Sequence, residues 1–157
     1  MYLQEGVFGP GDSLIFFSVT AQLRTMEATS TYYYSTTVDG SVEDVEPRVR
    51  EELQNEGFGV LTEIDVAATL EKKLDVDFRP YKILGACNPP AAHRALQAED
   101  KIGAMLPCNV ILQRTDDGRT EVAAVDPVAS MQSVDNDDLH AVAEEIRERL
   151  RSVIDRL

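Results

Sequence analysis

Within seven residues, Cys87-Asn88-Pro89-Pro90-Ala91-Ala92-His93, the chain brings together a thiol, a carboxamide and an imidazole, and Cys108 supplies the only other cysteine. A thiol just ahead of a helix N-terminus is favoured as thiolate by the partial positive charge there, so Cys87 is placed to be nucleophilic. His93 falls in the second turn of that helix, from which it could point back toward the strand end. A thiol and imidazole pair suits soft-metal binding or thiol chemistry, with Cys108 as a second sulfur. Each residue also has a plainer reading. Cysteine is among the most often buried residue types, and a single histidine on a short helix is more often structural or exposed. Asn88 reads as a helix cap.

Whether the two cysteines meet depends on topology. If strands 81–87 and 108–114 are antiparallel neighbours, the end of one lies beside the start of the other; a parallel crossover would send the sulfurs to opposite sheet ends. A disulfide would further need Cα atoms within about 7 Å. Two cysteines without CxxC spacing give no disulfide framework, and a reduced, cytoplasmic protein is expected.

The elements that must position these groups follow from periodicity. "TSTYYYSTTV" (29–38) is β-branched and aromatic and reads as a strand ending in a turn at Asp39-Gly40. Val42, Val45, Val49 and Leu53 stand at helical spacing. With Asp44 as the cap, Pro47 takes the third helical position, where its missing N–H costs nothing, and Gly57 ends the helix. Residues 58–64 form a second strand, and Asp65 caps a short helix over 66–74. After the breaker Pro80, 81–87 is a third strand. Asn88 caps a helix with Pro89 at its first position, running to about Glu99. Two further strands, 108–114 and 120–126, flank a hairpin turn at Asp116-Asp117-Gly118. From Leu139 to Leu157 an amphipathic helix carries acids near its start and arginines toward its end, as the helix dipole prefers. Its apolar face must dock either on its own sheet or on a second copy. The fold class expected is α+β: two layers, a largely antiparallel sheet of about five strands packed on helices, plus this C-terminal helix.

Composition sets the outer limits. At 157 residues the chain has the length of one domain. Residues 1–25 read as an N-terminal extension, disordered or non-native, and 26–157 as the single domain. The apolar run Leu14-Ile15-Phe16-Phe17 is too short to span a bilayer, and the segment lacks the basic start of a signal peptide. A net charge of −13, from 28 acidic and 15 basic side chains, argues against nucleic acid and anionic membranes as partners. With 11 Arg against 4 Lys, the composition is similar to that of proteins from salt-rich cytoplasm; an ordinary acidic protein kept soluble by its charge is the alternative.

Four segments, "GFGVLTEIDVAATLEKKL" (57–74), "YKILGACNPPAAHRAL" (81–96), "IGAMLPCNVIL" (102–112) and "AAVDP" (123–127), resemble in order and spacing the bacterial and archaeal family called domain of unknown function 302. The resemblance covers roughly residues 30–131. It implies a small α+β domain, often a homodimer, with no established activity.

Motif searches add exclusions. Glu63 and Asp65 at a strand end read as a solvent-facing residue and a cap. Asp116-Asp117-Gly118 lacks the downstream ligands of a calcium loop. No GxGxxG, P-loop, GxSxG or HExxH is present, so nucleotide cofactors, serine hydrolysis and zinc proteolysis have no local support. No catalytic residue or cofactor is assigned. The expectation is a non-enzymatic binding or accessory protein, a homodimer with a groove for a small molecule or peptide. The alternative is a soft-metal-binding or sulfur-handling protein using Cys87 with Cys108 or His93, and Asn88 completes the candidate set.

Overall fold

The computed structural model describes residues 32–157, so the expected extension over 1–25 and the first residues of the strand begun at Thr29 lie outside the described part. Five strands form one antiparallel sheet, β1 (Tyr33–Val38), β2 (Gly59–Asp65), β3 (Tyr81–Cys87), β4 (Cys108–Arg114) and β5 (Thr120–Val125), in the order β1-β5-β4-β3-β2. Helices α1 (Val42–Asn55), α3 (Pro89–Ala98) and α5 (Asp137–Arg156) lie with it, joined by the short helices α2 (Val66–Leu74) and α4 (Pro127–Ser130). This is the expected α+β architecture with its C-terminal helix.

Strand alternation decides which side chains meet the helices. Leu84, Ala86, Cys108, Val110, Leu112, Val122 and Ala124 point to one face and pack with Val42, Val45, Val49 and Leu53 of α1. Ile146, Leu150, Val153 and Ile154 of α5 close the same core. The C-terminal helix therefore docks on its own sheet. Ala95, Ile102, Met131, Leu139 and Ala143 make a smaller core where α3, α4 and the start of α5 converge.

The start of α1 differs from the sequence expectation. Ser41, not Asp44, is the N-cap, and Asp44 reaches back to it in a reciprocal capping box. Pro47 consequently sits inside the helix and leaves one intrahelical hydrogen bond unmade. Two cap bonds and the buried Val42, Val45 and Val49 outweigh that loss. Glu63 is exposed, as its solvent-facing reading expects, and it also accepts from Arg50 and Lys82, which both bind Glu46. That quartet ties α1 to β2 and β3.

Candidate functional site

Antiparallel pairing of β3 with β4 sets Ala86 opposite Cys108 and leaves Cys87 one residue beyond it, so the strand arrangement is the one that brings the cysteines to the same sheet end. Both are free thiols, Cys87 half-buried and Cys108 buried. Both contribute to the wall of a cavity of about 30 Å³ between the sheet end and helices α3 and α5. A space that size admits a water or a bare ion and excludes an organic substrate.

Electrostatics at this end favour thiol over thiolate. Burial pushes the Cys87 thiol up. Cys108 is pushed up to about 11, by burial first and then by the neighbouring Cys87. Desolvation thus opposes the activation of Cys87 that the sequence reading assigns to the helix N-terminus.

Asn88 has a complete structural role. Its Oδ1 accepts from the Ala91 amide at 3.1 Å, capping α3, and its Nδ2 donates to the Gly57 carbonyl at 3.2 Å. Gly57 needs to be glycine here: its φ is +81°, and a Cβ would stand 3.1 Å from that same Nδ2. His93 lies on the exposed side of α3, away from the cavity wall. The structure therefore groups Cys87, Asn88 and Cys108 and leaves His93 apart. Met131, buried just past α4, lines the same cavity, a residue that sequence spacing gives no reason to select.

A second surface lies on the other side of the sheet, where among the described residues no helix packs. Pairing aligns Ile64, Ile83, Ile111, Ala123 and Ser35 in one row across all five strands. Ile64 is 48 % exposed. Beside this row is a groove of about 390 Å³ lined by Tyr33, Arg79, Tyr81, Ile111, Gln113 and Glu121. Arg79 stacks on the Phe78 and Tyr81 rings, 4.7 and 5.6 Å from their centroids, and donates to Gln113, which in turn donates to Glu121. One Arg and one Glu are thus the charges on this groove, joined through Gln113 to each other. The sequence does carry a signal for the face. Ile83 to Cys87 is an unbroken apolar run instead of an alternating one, which in a two-layer fold leaves apolar side chains on the side away from the helices.

The described residues hold no group of three or more His, Cys, Asp or Glu side chains arranged for a metal ion. No helix among them is long and apolar enough to cross a membrane.

No curated protein sequence matches the chain. Among solved structures it is similar to the crystal structure of an uncharacterized conserved DUF302 protein from Bacillus stearothermophilus, with 31% identity and a TM-score of 0.74 over 79% of this chain and 96% of that one. The profile of the family described as domain of unknown function DUF302 matches residues 34–157, extending the resemblance read from sequence through the C-terminal helix. With both the sequence profile and a 31% identical structure in agreement, the chain belongs to the DUF302 family.

Proposed function

We propose that this is a binding or accessory protein without chemistry of its own, which pairs with a second copy through the open sheet face and holds a small molecule or peptide in the groove beside Tyr33 and Tyr81. The observation that carries this reading is an apolar row, Ile64-Ile83-Ile111, that no helix among the described residues covers, in a chain of net charge −13. Two such chains repel across most of their surfaces. The open face, whose Arg79 and Glu121 offset each other, offers a second copy apolar side chains with little net charge beside them. An acidic surface elsewhere suits a salt-rich interior, and two unpaired thiols suit a reducing compartment. Burial of both thiols in their neutral form weighs against nucleophilic use of Cys87.

Sedimentation velocity of the full chain tests the pairing. A dimer is expected, converted to monomer by Ile111→Lys and weakened by Ile64→Lys at the sheet edge, with circular dichroism unchanged. A monomeric wild type at high concentration, or a dimer indifferent to both substitutions, would rule the reading out.

A further inference from the structure

Side chains on the open face grade from bulky to small across the sheet. In the row Ile64, Ile83, Ile111, Ala123, Ser35, isoleucines stand on one side of Ile111 and an alanine and a serine on the other. The next row, Tyr81, Gln113, Glu121 and Thr37, is graded in charge. Arg79 lays its guanidinium on the Tyr81 ring and donates to Gln113, so its positive charge sits on the β3 side of β4, while Glu121 puts a negative charge on the β5 side. Among the described residues neither Arg79 nor Glu121 forms a salt bridge. Bulk and charge are both distributed unequally about β4, the middle strand of the sheet.

An isologous pair presents one surface to itself, so each residue must meet its complement on the same patch. Sheets packed face to face stand about 10 Å apart with strands aligned within about 30°, which leaves two placements for the two-fold axis, along the strands or across them. An axis across the strands through the Ile111 row sets each strand on its own copy. Ile64 and Ile83 then stack on themselves, a gap opens at Ala123 and Ser35, and Glu121 faces Val125 with no positive charge opposite it. An axis along β4 instead exchanges the two sides of the sheet and keeps the row. Ile83 then meets Ala123, Ile64 meets Ser35, and Ile111 meets Ile111.

Taking as its basis the pairing through the open face, we propose that the two copies are related by a two-fold axis running along β4, with Arg79 of each copy paired to Glu121 of the other. Large side chains fill the places of small ones across the interface, and the two charges each copy brings to it are neutralised between copies. The grooves beside Tyr33 and Tyr81 open toward each other over Gln113, so a ligand in one is held by both copies.

Charge exchange tests the arrangement, read by sedimentation velocity of the full chain. Arg79→Glu alone and Glu121→Arg alone each set like charges together twice per pair, and each is expected to weaken self-association roughly 10- to 100-fold with circular dichroism unchanged. Mixed in equal amounts, the two variants should pair one to one with wild-type affinity restored to within a few-fold, because every contact across the axis then joins opposite signs. Mixing does not restore the link through Gln113 within either chain, so recovery reports contact between copies. The wild type supplies a second readout that needs no variant: isotope-filtered NOEs between copies should join the Ile83 methyls to the Ala123 methyl. Variants that self-associate like wild type, a weakened pair that mixing leaves weak, or NOEs joining Ile83 to Ile83 would overturn the axis and leave pairing through the open face standing. A wild type that stays monomeric at high concentration removes the pairing, and the axis with it.

Discussion

Gly85 shows how tightly single positions are specified near the sheet end. A Cβ there would stand 2.1 Å from Thr62 Oγ1 and 2.7 Å from Pro107 Cγ, so Gly85→Ala must displace a proline ring as well as a hydroxyl. We expect a loss of about 1–3 kcal/mol in denaturant-monitored unfolding. Asn88→Ala removes the α3 cap and leaves the Gly57 carbonyl without its partner, for an expected loss of about 1–2 kcal/mol by the same measurement. Thiol reactivity should follow burial: at neutral pH Cys108 is expected to alkylate far more slowly than Cys87, and both more slowly than in the unfolded chain. Faster labelling of Cys87 than in the unfolded chain would instead restore the nucleophilic reading. At this scale the cap Asn88 and Pro89 at the first helical position are legible in sequence, because both obey local rules that need no tertiary information. The exposed setting of His93 agrees with its plainer reading, while Met131 is not legible, because its burial depends on which face of its segment the rest of the fold covers.

Between elements, the quartet of Glu46, Arg50, Glu63 and Lys82 gives a pH dependence with a definite sign. Burial pushes the Glu46 carboxyl up, but hydrogen bonds from Lys82 and Arg50 outweigh this and hold it below its ordinary value of 4.5. A depressed carboxylate contributes stability that is present above that ordinary value and is lost as pH falls through the lower folded one. Lys82 is raised above its ordinary 10.5, chiefly by its hydrogen bond to Glu46, so its contribution is full below that value and is lost as pH rises through the higher folded one. Glu46→Gln should therefore destabilise the protein around neutrality, and the gap from wild type should narrow below pH 4.5. A gap constant into acid, followed by chemical denaturation across pH, would show that packing rather than charge accounts for Glu46. The sequence reveals that α1 exists, through Val42, Val45, Val49 and Leu53, but its start is ambiguous, since Ser41 and Asp44 are both good caps and only the capping box assigns them separate roles. The quartet itself is invisible to local patterns because its members come from a helix and two strands.

For the molecule as a whole, 28 acidic side chains against 15 basic ones make self-repulsion a standing cost of the compact state. Screening relieves it, so the melting temperature should rise between low and molar salt; a flat or falling dependence would contradict this. The α+β class and the five strands are readable because each strand is bounded by a turn, proline or cap signal. The strand order β1-β5-β4-β3-β2, which decides the cysteine geometry, is not readable, since the antiparallel and crossover arrangements of β3 and β4 have the same local sequence. The sheet face that no helix among the described residues covers is likewise a property of the finished fold: its row of Ile64, Ile83 and Ile111 is assembled from three strands. The central claim is that a second copy covers this face, and isotope-filtered NOE spectroscopy on a mixture of methyl-labelled and unlabelled chains tests it most directly. Contacts between copies at the Ile83 and Ile111 methyl groups are the expected result; a dimer whose contacts between copies avoid those methyls, or no such contacts at all, would contradict it.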